Sequence, residues 1–130
     1  GIVANTGKFL RMETPQIWPK NGRWYLYFGG VTAAKNINPS ALDNTKTFKN
    51  GDAEYVSNYI YVGSTIDGKY KEMPWSNIKL PDNTPFYICK TLLNPKGQDV
   101  MLAHGWGNWK LLRPYKLTYR SDGEVKFGIS

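Results

Sequence analysis

Apolar positions in this chain come in short extended runs separated by turn residues, and none keeps a helical spacing for long. Gln16-Ile17-Trp18 is one such run, and Arg23-Trp24-Tyr25-Leu26-Tyr27-Phe28 is a longer one rich in the aromatics that suit a pleated surface. Between them Pro19-Lys20-Asn21-Gly22 reads as a turn, because Pro fixes φ and Asn-Gly accepts the positive φ of tight hairpins. The pattern predicts further strands over 59–64, 69–72, 86–91, 100–104 and 115–119, with turns at Asp67-Gly68 and Asn94-Pro95-Lys96-Gly97. From 31 to 56 the sequence is polar with no sustained period, and it is expected to be a long connection with at most one helical turn and little order. The N-terminal ten residues offer an apolar edge (Ile2, Val3, Ala4) and a turn, which fits either a strand or a linker.

Composition supports an all-β reading. Of 130 residues, five are Trp, nine Tyr and five Phe, with 13 Gly and 8 Pro as punctuation. That length is enough for one domain, 1–130, burying roughly two-thirds of the unfolded chain's surface. The net charge of +7 favours acidic partners, but the basic residues are scattered and no tract marks a phosphate track. A basic, aromatic nucleic-acid-binding β module ranks last among the readings, and no nucleic-acid partner is expected. Cys89 is the only cysteine and His104 the only histidine, which excludes an internal disulfide and the common zinc sites; no metal or cofactor is expected. No run approaches the ~18 apolar residues of a membrane helix, and no signal peptide is visible at Gly1.

The chemistry-bearing stretch is Glu13-Thr14-Pro15, just ahead of the first strand. Thr14 precedes a proline and is expected to be extended, holding Glu13 on a short, stiff entry. Read by itself, Glu13 is equally a solvated loop carboxylate. His104, in Ala-His-Gly-Trp-Gly, reads as a packed strand end or a ligand contact, and Trp106 as inter-sheet packing or a platform for a sugar ring. Cys89 reads as a small buried hydrophobe.

Glu13-Thr14-Pro15 followed by an apolar strand and Asn-Gly-x-Trp-Tyr-Leu-Tyr-Phe resembles the acid/base segment of the five-bladed β-propeller glycosidases, glycoside hydrolase families 32, 43, 62 and 68. The closest likeness is to family 32 (invertases, levanases, inulinases), whose segment runs W-E-C-P-D; Met12 and Thr14 stand here for the Trp and Cys. Phe86-Tyr87, Lys90-Thr91, Met101-Leu102 and Gly105-Trp106 follow in the order of that family's f-Y-A-x-K-T and i-l-x-G-W, and Leu112 to Val125 resembles its ending.

The resemblance implies antiparallel sheets forming two to three blades, the C-terminal part of such a propeller. It implies a site acting on fructosyl or arabinosyl furanosides, with Glu13 as acid/base and Arg11, Trp18, Tyr87, His104 and Trp106 as substrate contacts. A secreted or periplasmic location follows from it alone. The family's nucleophile (N-D-P-N) and transition-state (R-D-P) strings occur nowhere in the sequence, so catalysis by this chain alone is not expected. Asp43, Asp52, Glu54 and Asp99 are the remaining candidates for a second carboxylate, each reading as a turn or surface residue. A non-catalytic carbohydrate-binding domain is the main alternative. A partial propeller would leave an open blade face, so self-association is also expected.

Overall fold

The computed structural model describes residue 9 and residues 11–33, 44–47, 53–105 and 110–129, with backbone alone at 32–33, 44–47 and 53–56. The described residues contain no helix and eight strands: β1 (Arg11–Lys20), β2 (Arg23–Ala33), β3 (Asn44–Thr47), β4 (Ala53–Gly63), β5 (Phe86–Leu93), β6 (Asp99–Gly105), β7 (Tyr115–Tyr119) and β8 (Val125–Ile129). They form two four-stranded antiparallel sheets, one ordered β1-β2-β4-β3 and the other β5-β6-β7-β8. The chain is all-β. None of the described residues belongs to a helix long and apolar enough to cross a membrane.

Local chemistry explains the first hairpin. Asn21 and Gly22 have φ of 51° and 76°, so the loop is a two-residue turn with Lys20 opposite Arg23. Both central residues are left-handed, the geometry that matches strand twist. The expected four-residue turn is thus tighter, and Pro19 and Lys20 belong to β1. Asn94 shapes the β5–β6 turn, its Oδ1 accepting from the N–H groups of Lys96 and Gln98, both at 2.9 Å.

Two expectations fail for local reasons. Residues 69–72 do not form a strand. Lys71 makes reciprocal bonds with Val62 (3.0 and 2.8 Å), but a turn closed by the Ser76 N–H on the Met73 carbonyl (2.9 Å) breaks the run. Pro74 lies inside that turn and has no N–H to give a ladder. The segment resumes along β4 when Ile60 N–H reaches Ser76 O and Ile78 N–H reaches Asn58 O, both at 2.9 Å. Within the expected long connection, 31–33, 44–47 and 53–56 are strand, and its other residues lie outside the described ones. Strand β8 was not anticipated.

The core lies between the sheets. Tyr25, Tyr27 and Ile60 from the first sheet, with Ile78 and Leu80, meet Phe86, Cys89, Met101, Ala103, Tyr115, Leu117 and Val125. The alternate residues of β2 and β4, Leu26, Phe28, Tyr59 and Tyr61, are buried on the opposite face with Tyr70. There Phe28 stacks on Tyr59 at 5.6 Å and meets Phe9 edge-on at 5.2 Å. Such aromatic pairs add about 0.5–1.5 kcal/mol each beyond their buried area. The second sheet is less fully covered: Lys90, His104, Lys116, Thr118 and Lys126 stand exposed on it, although Tyr87 and Val100, opposite His104 and Lys116, are buried.

Polar ties cross between the sheets. Tyr27 donates to Asn58 Oδ1 (2.7 Å), and Asn58 Nδ2 donates to the Phe86 carbonyl (2.9 Å), all buried. Gln16 grips the Thr91 backbone twice, accepting from its N–H (2.8 Å) and donating to its carbonyl (3.1 Å). Trp18 donates to Tyr119 Oη (2.9 Å), Lys20 pairs with Asp99 (2.6 Å) and Tyr25 donates to the Gly123 carbonyl (2.8 Å).

Asn58→Leu keeps the side-chain shape but strands the Tyr27 hydroxyl and the Phe86 carbonyl. We expect a loss of about 2–4 kcal/mol by urea denaturation; a loss under about 0.5 kcal/mol would refute the tie. A pH dependence follows as well. Burial raises the phenol pKa values of Tyr25, Tyr27, Tyr115 and Tyr119, the last to about 12, and lifts the Cys89 thiol to about 12. All these folded-state values exceed the unfolded ones, so their contribution is intact below the unfolded values and is lost as pH rises towards the folded ones. The melting temperature should hold up to about pH 9 and fall steadily towards about pH 12. A flat profile across that window would contradict it.

Candidate functional site

Glu13 sits where β1 breaks its ladder. It faces Gly29 in the register, and Gln16 faces Tyr27, so Thr14 and Pro15 together oppose Phe28. Pro15 cannot donate to the ladder, and the chain accommodates it with a bulge. Thr14 is not extended as expected: its φ is 51°. Its Oγ1 is buried and has no hydrogen-bond partner among the described residues.

A second bulge lies on β5. Tyr87 faces His104 and Cys89 faces Ala103, leaving Ile88 unpaired with φ of 59°. A β-branched residue in the left-handed region is a true outlier, worth about 1–3 kcal/mol of strain. Bulges re-aim neighbouring side chains, and these two flank Glu13 and Tyr87.

Gly29 brings the two together. A Cβ on it would fall 2.4 Å from both Cζ and Oη of Tyr87, so the phenol ring lies directly on the β2 backbone. Gly29 is also the residue opposite Glu13, which sets the phenol beside the carboxylate. Tyr87 is only 4% exposed and packs with Val31 and Ile88. Burial drives its pKa well above the ordinary range. The charge of the nearby Glu13 carboxylate adds to that, while Arg11 opposes it. Arg11 Nε lies 3.2 Å from Glu13 Oε1, with both side chains half-exposed. The result is a partly exposed carboxylate paired with a guanidinium, with a buried phenol beside it. Such a group can accept from, or exchange a proton with, a ligand hydroxyl.

The other candidates divide. His104 is exposed on β6 across from Tyr87, one strand further from Glu13. Trp18 is not brought to the site: it stacks on Tyr25 at 5.6 Å and bonds Tyr119, roughly 17 Å along β1 from Glu13. The aromatic beside Glu13 is therefore Tyr87. Trp106 lies outside the described residues. So do Asp43 and Asp52, and the Glu54 side chain is not described.

Asp99 is held by Lys20 at the far end of β1, Asp82 by Tyr115 and Thr84, and Glu72 by Tyr61. No group of three or more His, Cys, Asp or Glu that could hold a metal occurs among the described residues. Sequence reasoning missed Gly29, Thr14 and Ile88. The Gly29-Gly30 pair inside an aromatic strand was the available sign, since a glycine there often marks a close approach.

No family model, no curated protein and no solved structure matches the chain.

Gly29→Ala must push the Tyr87 ring off the β2 backbone. We expect about 1–3 kcal/mol of destabilisation, with a downfield-to-upfield change of the Tyr87 ring signals in NMR spectra. An unperturbed Tyr87 environment in a folded Ala variant would disprove the contact.

Proposed function

We propose that the chain carries the acid/base half of a glycoside-processing site, on a pair of propeller-type blades, and that Glu13 is its working carboxylate. The observation that carries this reading is the Arg11–Glu13–Tyr87 grouping, held by strained backbone on two strands of different sheets. A solvated loop glutamate needs no such support. The order of the second sheet favours the blade reading, since β5 to β8 follow one another as neighbours; in the first sheet β1, β2 and β4 are neighbours, with β3 on the outer side of β4. The motif resemblance to family 32 supplies the substrate class, a fructosyl or arabinosyl furanoside.

In this reading Glu13 protonates the leaving oxygen, Arg11 and Tyr87 hold it in place, and His104 lies at the rim. Cleavage needs a second carboxyl about 5–9.5 Å away. Asp99, Asp82 and Glu72 are each held by other groups, so in this reading the second carboxyl is supplied from elsewhere. The same fact favours a second reading, a domain that binds the sugar without cutting it.

Binding separates the two. A furanose-configured cationic iminosugar mimics the charge of the transition state, and a cleaving site binds it about 10²-fold or more tighter than the neutral oligosaccharide. Calorimetry should show that preference, and Glu13→Gln should abolish it with the fold intact. Equal affinity for both ligands indicates the non-catalytic domain. Absence of binding by any fructo- or arabino-oligosaccharide removes the sugar assignment altogether. The chain alone should leave sucrose, inulin and arabinan uncut; with the second carboxylate supplied, Glu13→Gln should lower the rate by about 10²–10⁴.

A further inference from the structure

A separate hollow of about 290 Å³ lies at the other end of the first sheet, beside the β1–β2 turn. Its walls carry three cations, Arg23, Lys69 and Lys71, together with Gly22, Gly63 and Ser64, and no carboxylate. The register explains the convergence. Tyr25 faces Val62, and Val62 bridges to Lys71. The bridge brings the 69–71 segment alongside the end of β4 and the start of β2, where Arg23, Ser64, Lys69 and Lys71 line one hollow.

Asp67, on the turn between Ser64 and Lys69, is not among the lining residues, and the other nearby acids are bonded elsewhere. Glu72 accepts from Tyr61 at 3.2 Å, and Asp122 turns to the Glu124 N–H at 3.0 Å and to Arg120. Neither Lys69 nor Lys71 has an ion-pair partner among the described residues. Arg23 is braced, donating from Nη2 to the Ser121 carbonyl at 3.1 Å, and its Nε lies where a Cβ on Gly123 would come within 2.9 Å. Three like charges gathered in one concavity repel one another and concentrate positive potential there.

We propose that this hollow is an anion site for a tetrahedral oxyanion, the phosphate or sulfate group of a small ester or the free ion. Three cations lining one hollow match the terminal oxygens and the double charge of such a group better than a single carboxylate. The Ser64 hydroxyl adds a donor. The volume leaves space for an organic moiety beyond the ion. The site is independent of Glu13 and stands or falls without it.

The test is an amide NMR titration of the whole chain with inorganic phosphate, inorganic sulfate, glycerol phosphate and sodium chloride. We expect saturable shifts confined to residues 22–23, 63–64 and 69–71. Lys69→Ala with Lys71→Ala should weaken binding about 10-fold or more, whereas Lys90→Ala with Lys116→Ala leaves it unchanged. Both pairs are exposed, so the variants should fold. Tighter binding of glycerol phosphate than of phosphate assigns an ester ligand, and equal binding assigns the free ion. Shifts spread over all the lysines in proportion to ionic strength, or affinity unchanged by the Lys69/Lys71 pair, overturn the proposal.

Discussion

The buried carboxamide of Asn58 is the constraint on which the rest depends. It belongs to β4, in the middle of the first sheet, yet one of its groups reaches the first residue of the second. A buried amide with an unmet donor or acceptor loses about 1–3 kcal/mol, so the sheets cannot slide without breaking the bonds to Tyr27 and Phe86 together. Cys89 points its thiol at the same Oδ1 from 3.8 Å, a weak contact that leaves the acceptor to Tyr27. The surrounding Phe86, Met101 and Ala103 packing supplies the adhesion, but apolar contact is non-directional. The directional amide fixes the register of one sheet on the other, and with it the position of Tyr87 over Gly29.

That register lets two distant residues meet. Glu13 and Tyr87 are on different sheets, and each stands beside a bulge that no ordinary ladder would contain. The Gln16–Thr91 pair of bonds pins β1 to β5 just beyond the bulges. Strain at Thr14 and Ile88 persists because the surrounding contacts over-determine it. The inference runs from the observed outliers to a functional proposal for the site, and not the other way.

What was legible in the sequence was what local chemistry decides. Asn21-Gly22 announced its hairpin, and Asn94 with Gly97 announced another, because the turn needs those residues whatever surrounds it. Strand 115–119 was read to the residue. Less legible were features set by partners far along the chain. Pro15 was read as stiffening an extended entry; against a paired β2, its missing N–H forced a bulge and left Thr14 left-handed. Trp18 was expected, on the resemblance, among the substrate contacts around Glu13. Strand alternation and the Tyr119 hydroxyl drew it into the inter-sheet core, and Tyr87, seventy-odd residues later, took the place beside the carboxylate. Strand β8 escaped notice because Val125-Lys126-Phe127-Gly128-Ile129 is short and interrupted by glycine; pairing with β7 makes it a strand.

The two sheets also differ in how their burial is written into sequence, and this bears on what each can meet. Residues 25–31 of β2 are buried without interruption, the signature of a strand covered on both faces. Strand β7 alternates buried and exposed instead, with Tyr115 and Leu117 inward and Lys116 and Thr118 outward. The outward face of the second sheet therefore offers lysines beside two exposed leucines, Leu92 at 42% and Leu111 at 64%, the latter bridged to His104. Lysines of this kind blunt sheet-to-sheet association, so a second copy laid on that face would bring like charges together. If further blades complete the Glu13 site, the neighbour of this sheet has to bring acidic or long polar side chains to meet Lys90, Lys116 and Lys126. The identity of that neighbour is thereby constrained by charge as well as by shape.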